Sequence, residues 1–376
     1  MKHLLILAVA LLASKNSQND TSYSAPQFKQ QVVAEVKHLN DNLIIGSVYT
    51  LHIFGDNLIM QARSIDNNNE FQAISLSTGE HLAGFGTRGR AQNELSDYMI
   101  TLRDGKKGLL SAIDNSGKFL SFDISAAVTG KSNCVTMAHK MPHYPTATQA
   151  HHFGERILHT EGSTKTCTRI FTTDIYGRDT VVLEREHPFV CAELEADKLS
   201  KGMYFKYNSR FAAKPNGEKI CNITGNGMIM EIWNVRGESA TKSVTRYFYE
   251  PKMKSYVYND VADECIRGAY AVAATDKYIY CGYYDTRDDD DSGKPKLGVF
   301  DWNGNAICSY SIEGGMLTRF TVADDNSRVY AWFWGNDGEN YLGYIDLEYG
   351  VFVKFAFLSA ALRAAGRKVC HTIKFL

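Results

Sequence analysis

The sequence predicts an all-β fold: a six-bladed β-propeller of four-stranded antiparallel blades, with a short C-terminal helix. Three observations predict it. An amphipathic strand of the form hydrophobic-x-hydrophobic, followed in most copies by an acidic residue, runs into a turn glycine six times: residues 71–79 (FQAISLSTG), 119–130 (FLSFDISAAVTG), 169–177 (RIFTTDIYG), 228–237 (MIMEIWNVRG), 297–304 (LGVFDWNG) and 341–350 (YLGYIDLEYG). The glycines that end the copies, Gly79, Gly130, Gly177, Gly237, Gly304 and Gly350, fall 51, 47, 60, 67 and 46 residues apart. That period is too wide for a helical solenoid and suits four short strands plus loops. Finally, each copy is preceded by a tight Gly/Asp/Asn-rich turn signal, at 54–57, 104–105, 153–155, 215–217, 275–276 and 324–326, the chemistry of a hairpin between two short strands.

Taken in order, residues 1–28 form an export signal and tether. Lys2 and His3 precede ten apolar residues, 4–13, a basic n-region and a short h-region. Ten residues are too few to span a bilayer, which takes about 20. Leu12, Ala13 and Ser14 match the first three positions of a bacterial lipobox, but Lys15 stands where the lipid-bearing cysteine would be. The polar stretch 16–24 (NSQNDTSYS) then reads as a flexible tether. Residues 29–376 form a single propeller domain. Its blades cover 47–86, 98–141, 148–186, 210–250, 268–313 and 317–358, and 358–365 (LSAALRAA), ended by Gly366, reads as the helix. Two strand-like segments remain, 31–39 (QVVAEVKHL) and 368–376 (KVCHTIKFL). At least one of them is expected to pair with blade 6 or cover its edge, because an open edge is a template for aggregation.

Composition narrows the function. Hydrophobic residues make up 44% and aromatics 12%, enough for a packed core, and a mean hydropathy of −0.27 excludes a polytopic membrane protein. With 41 basic against 42 acidic residues and no sustained basic cluster, nothing supplies the positive field that nucleic acid requires. Membrane contact is expected only through the N-terminal segment. The eight cysteines contain no CxxC, and the closest pair, Cys265 and Cys281, lies 16 apart. Cys221 and Cys281 sit in apolar strand patterns, as buried free thiols do, whereas Cys191 and Cys265 fall in connectors and are better placed for oxidation.

Residues 84–95 (GFGTRGRAQNEL), after the first blade, carry a family resemblance. They resemble the fG-x-x-G-x-GPGEF motif of NHL-like and TolB-like six-bladed propellers, a group of exported Bacteroidetes proteins and lipoproteins that is mostly uncharacterised. Gly86, Gly89, Glu94 and Leu95 match, while Ala91, Gln92 and Asn93 replace Gly-Pro-Gly. The resemblance implies fold and export, and little about function.

No catalytic signature is present: there is no GxSxG, no HExxH and no activated cysteine. His139 with His143 and the adjacent His151 and His152 do not form a zinc pattern, and neighbours in a strand face opposite ways. The acidic loop Asp285, Asp288, Asp289, Asp290 and Asp291 lacks the alternate ligand spacing of a Ca²⁺ loop. Arg287, Lys294 and Lys296 balance it, so a solvated loop is favoured over a calcium site, and no cofactor is required. The b–c loops and blade connectors are the long, irregular segments, and both emerge on one face, where binding groups concentrate. Residues near the start of each inner strand ring the channel mouth there: Tyr49, Tyr98, Tyr144, Arg210, Arg267 and Arg319. Arginines among tyrosines suit an anionic or sugar-like ligand. The expected function is therefore a non-catalytic ligand-binding or protein-interaction module of the cell envelope, periplasmic or outer-membrane associated, with a protein or glycan partner. The alternative is a propeller enzyme of lactonase, hydrolase or lyase type with a channel-centred site, with or without a divalent metal.

Overall fold

A computed structural model of the chain describes residues 22–347, apart from 41–44, 65–67, 97–98, 132, 146–149, 154, 161–169, 185–208, 238, 253–261, 288–289 and 291–293. Two strands open it, β1 (Gln30–Glu35) and β2 (Lys37–Asn40). Blade 1 comprises β3 (Ile45–Phe54), β4 (Asn57–Ser64), β5 (Asn69–Ser75) and β6 (His81–Thr87). Blade 2 comprises β7 (Met99–Asp104), β8 (Leu109–Asp114), β9 (Lys118–Asp123) and β10 (Val135–Lys140), with a single turn of helix, α1 (Ile124–Ala127), before its last strand. Blade 3 is β11 (Ala150–Phe153), β12 (Arg156–Thr160), β13 (Ile170–Asp174) and β14 (Thr180–Glu184). Blade 4 is β15 (Ser209–Ala213), β16 (Lys219–Thr224), β17 (Met228–Arg236) and β18 (Ser239–Tyr249). Blade 5 is β19 (Ala269–Ala274), β20 (Tyr278–Tyr283), β21 (Lys296–Asp301) and β22 (Ala306–Glu313). Blade 6 takes β23 (Gly315–Val322), β24 (Arg328–Gly335) and β25 (Asn340–Asp346) from its own stretch of chain.

The blades are antiparallel sheets in sequential order, which is the predicted six-bladed propeller. Their middle strands are buried along almost their whole length, as in LLSAID of β8, KICNIT of β16 and YIYCGY of β20. A middle strand lies between two neighbouring blades, so both its faces are covered and the alternation of a half-exposed strand disappears. The outer β18 shows the opposite, a largely exposed or half-exposed surface. The apolar interior is divided accordingly into six clusters, one in each seam between adjacent blades, including the seam that closes blade 6 onto blade 1. In the seam between blades 1 and 2, Phe71, Phe85 and Phe122 pack ring against ring at 5.2–5.7 Å. The motif loop closes over that seam. Leu95 is fully buried and bonds back to Thr87 O, while the Glu94 carboxylate accepts from Ala91 N at 2.8 Å. Gly86 holds a positive φ of 71° with no room for a Cβ against Phe71, which explains the glycine there.

Closure corrects one sequence expectation. Blade 6 does not draw four strands from 317–358: its fourth position, next to β25, is occupied by β2 from the N-terminal end, antiparallel, with Lys37 opposite Tyr344. The expected terminal strand 31–39 is split in two, and its first part, β1, adds in parallel to the outer edge of blade 5 along β22. Residues 23 and 24, read as tether, also lie against the ring: Tyr23 packs on Tyr247 and Ser24 N donates to Tyr247 O. The helix at 358–365 and the strand at 368–376 lie outside the described residues.

Deleting residues 1–40 therefore removes the closing strand of blade 6. Far-UV circular dichroism with thermal melting is expected to show loss of the cooperative transition. A truncated protein melting at the full chain's midpoint would show that another segment closes the ring.

Candidate functional site

The six inner strands surround a central channel of about 1640 Å³, lined by residues of β3, β7, β11, β15, β19 and β23. The first half of each inner strand lies towards the b–c loops and connectors, and the second half runs into the a–b hairpin. The channel thus has a loop end and a turn end, and they differ.

At the turn end, polar links join neighbouring blades. Arg103, at the end of β7, donates through Nε to Ile53 O of blade 1 at 2.6 Å and through Nη2 to Asp324 of blade 6 at 2.8 Å, with its guanidinium over the Phe54 ring. Lys107 meets Glu155 of blade 3 at 2.9 Å, and Asn216 N of blade 4 donates to Asp276 of blade 5. Asn326, in the left-handed region at φ 63°, accepts from Thr275 Oγ1 at 2.6 Å and from the Tyr280 hydroxyl at 2.8 Å, joining blades 5 and 6.

Inside the channel, histidines bridge inner strands. His52 Nε2 lies 2.8 Å from Thr101 Oγ1, which is also 3.0 Å from Thr50 Oγ1. His151 Nε2 lies 3.0 Å from Phe211 O of blade 4, and a carbonyl oxygen fixes that nitrogen as the donor. Burial first, then the positive charge of Arg103, pushes His52 down to about 3, and burial pushes His151 down to about 4. His151 and His152 both line the channel wall but face opposite seams, as strand alternation requires. His152 sits among the charges of Asp104, Lys107 and Glu155, with neither ring nitrogen bonded to protein among the described residues, and burial lowers its pKa.

At the loop end, Tyr49, Tyr144, Arg210 and Arg319 line the channel together. Tyr49 is 42% exposed, and Tyr144 is held by a hydrogen bond from its hydroxyl to Asn115 O at 2.9 Å. Arg210 Nε donates to Tyr270 O of the next blade at 3.0 Å, so this arginine seals a blade contact through a carbonyl. Exposed Arg319 donates to its neighbour's carbonyl, Thr318 O, at 3.0 Å. Arg267 is not among the channel-lining residues. It precedes β19, bridges to Asn226, and lays its guanidinium over the Tyr284 ring, because the inner strand starts two residues later. Tyr98 lies outside the described residues. The two lining carboxylates at this end are both engaged. Glu70 is ion-paired with Arg88, and Asp114 accepts from Ser96 N, Ser116 N and Oγ, and Lys118 N, bonds that outweigh burial and hold its pKa below the usual range. Sequence reasoning did not single out His52 or Thr101, whose only signal is a polar residue in an otherwise apolar inner-strand pattern.

Other candidate chemistry disperses. Among the described residues no three His, Cys, Asp or Glu side chains gather as a metal site. His139 Nε2 donates to Ile175 O at 2.9 Å and its ring stacks on Phe119, and Asp285 is paired with Lys296 at 2.5 Å. Asp288, Asp289 and Asp291 lie outside the described residues, as does Cys191. Cys134, Cys221, Cys265, Cys281 and Cys308 are buried free thiols, and burial pushes Cys221 and Cys281 up, away from the reactive thiolate.

Fold and site together define a six-bladed propeller with a central channel. The chain belongs to the TolB-like six-bladed propeller family, whose description, TolB-like 6-blade propeller-like, it matches over residues 27–325. A DUF4221 family member from Bacteroides vulgatus superposes with a TM-score of 0.53 at 7% identity, covering 84% of this chain and 98% of the other, a likeness of fold. The chain is also similar to U3-55K, with TM-score 0.48, 10% identity and coverage of 83% and 98%. The β-propeller domain of Cps50 (Swd1) from Myceliophteria thermophila gives TM-score 0.46, 11% identity and coverage of 83% and 99%. No curated protein sequence matches.

The buried histidines give a pH dependence. A histidine whose folded pKa is depressed stabilises the fold fully above its unfolded value of 6.5, and that stability is lost as pH falls towards the folded value. Between pH 6.5 and about 4.5 the unfolding free energy is expected to fall by up to about 1.4 kcal/mol per pH unit for each ring, less what channel water relieves. His52→Gln should flatten that slope in urea titrations across this range. An unchanged slope would mean that His52 titrates normally.

Proposed function

We propose that this chain is an exported cell-envelope protein that binds a ligand or protein partner, without chemistry of its own, at the loop end of its channel. The observation that carries the reading is the difference between the two ends of one channel. The turn end is tied by inter-blade ion pairs and hydrogen bonds, while the loop end carries Tyr49, Tyr144, Arg210 and Arg319 on a wall whose carboxylates are already engaged. A rigid ring that presents aromatic rings and guanidinium groups in a concave channel suits recognition. Export rests on the basic and apolar pattern of residues 2–13, and no helix among the described residues is long and apolar enough to cross a membrane.

The test is a thermal-shift screen of the purified mature protein against envelope glycans, peptides and small anions, followed by calorimetry. A ligand at one hundred times its Kd should add about 2.7 kcal/mol to stability. Arg319→Ala and Tyr49→Ala, both at exposed positions, should each weaken that ligand about tenfold without lowering the unliganded midpoint. Affinity unchanged in both variants would remove the loop end as the site. Export is checked by mass spectrometry of the N-terminus in fractionated cells expressing the full chain. An intact Met1 in the cytoplasmic fraction would overturn it.

A further inference from the structure

The channel is not the only opening at the loop end. A second cavity of about 550 Å³ lies under the connector from blade 1 to blade 2, lined by Arg88, Arg90 and Lys118 with Ser96, Ser116 and Gly89. It shares Asp114 and Asn115 with the channel wall, so the two cavities meet at one rim. Tyr144 stands at the channel side of that junction, its hydroxyl tied to Asn115 O and its ring packed so close over Gly117 that a Cβ there would strike it.

We propose that the loop end of the channel and this connector groove form one continuous site for a linear, carboxylate-bearing oligosaccharide. The proposal rests on the reading of the loop end as a binding site and extends it in size and chemistry. Size comes first: pockets for drug-sized ligands hold about 300–1,000 Å³, and the channel alone exceeds that before the groove is added. Charge comes next. The Lys118 ammonium is bound to two carbonyls, Ala91 O at 2.6 Å and Glu94 O at 2.7 Å, which orient it without neutralising it. Among the described residues, exposed Arg90 has no ion pair and Arg319 is bound only to a carbonyl. The carboxylates in reach, Glu70, Asp114 and Glu94, are each held by donors of the protein. Carboxylates spaced along a chain meet Arg319 in the channel and Arg90 and Lys118 in the groove. Tyr144, tied to the shared residue Asn115, and Tyr49, on the channel wall, offer aromatic rings to the weakly positive C–H edges of a sugar ring. An acidic peptide would satisfy the cations equally, but it would leave those faces without rings to stack on.

Calorimetry with oligogalacturonates of one, two, four and eight units tests this on the full mature protein. Affinity is expected to rise at least tenfold from two units to eight, and to vanish for the methyl-esterified octamer. Arg90→Glu, at an exposed position, should weaken the octamer about fivefold and leave the dimer unchanged, while Arg319→Ala weakens both. Thermal midpoints of the variants, expected to be unaltered, separate lost contacts from lost folding. If the dimer and octamer bind equally, or Arg90→Glu has no effect, the continuous site is refuted and the channel reading stands. Equal binding of a polyglutamate octapeptide refutes the saccharide class, and no binding of any uronate, with another ligand found at Arg319 and Tyr49, refutes the whole proposal while leaving the channel site in place.

Discussion

Everything in this ring depends on closing the seam between blade 6 and blade 1. The middle strands of each blade are apolar on both faces, so every blade needs two neighbours, and an open seam would expose two such faces at once. Here the seam is secured by a short stretch of chain that touches four blades in sequence. Tyr23 packs on the outer strand of blade 4, β1 extends blade 5, β2 completes blade 6, and Asn40 Nδ2 reaches Gly79 O of blade 1 at 2.6 Å. Gly79 is at φ 74°, where a Cβ would run into the Leu39 carbonyl, so turn and strap fit only because that residue is glycine. Lys37 and Arg328 both bind Asp346, which anchors β2 to the blade it closes. These are exposed pairs, each worth well under the burial they accompany. They set the register of β2, and the apolar seam supplies the stability.

A closed ring fixes how far apart the inner strands lie, and the channel wall is built from what spans those gaps. Between blades 1 and 2 the span is made by Thr50, His52 and Thr101, between blades 3 and 4 by His151, and between blades 4 and 5 by Arg210. Arg103 spans more than one seam, since it joins blade 2 to the backbone of blade 1 and to Asp324 of blade 6. Part-buried hydrogen bonds of this kind cost more to break than they contribute when made, so they resist spreading of the ring. Two histidines stay neutral for a different reason: a proton would place charge in a poorly solvated wall, and for His151 that cost outweighs the bond to Phe211 O, which by itself favours the charged ring.

The architecture was legible in the sequence because its signals are local. Hydrophobic alternation and a turn glycine recur in every blade, with an acidic residue in most, and each can be found without knowing what packs where. Closure was only half legible. The alternation in QVVAEVKHL says strand, but which sheet it joins depends on contacts more than 300 residues away, such as Lys37 with Asp346. Counting strands singled out Tyr49, Tyr144, Arg210 and Arg319, and all four line the channel. Arg267 failed by two residues, since the strand begins at Ala269 and the preceding arginine turns towards Tyr284. The histidine bridges were illegible because their partners are a threonine and a carbonyl on other blades, neither of which has a sequence pattern.

The charge of the mouth illustrates why a residue count does not predict recognition. The channel lining carries six cations, Arg103, Lys106, Lys107, Arg210, Lys214 and Arg319, and six anions, Glu70, Asp104, Asp114, Glu155, Asp276 and Asp324, and so balances formally, as does the chain at a net charge of −1. Such a molecule exerts no long-range pull on an anion. What distinguishes the two ends is how each charge is satisfied. At the turn end, Arg103 and Lys107 pair with Asp324 and Glu155. At the loop end, Asp114 is satisfied by N–H and O–H groups of its own turn and Glu70 by Arg88, which leaves the guanidinium of Arg319 with a main-chain carbonyl. A carbonyl orients a guanidinium without cancelling its charge, so Arg319 can exchange that bond for a ligand's carboxylate.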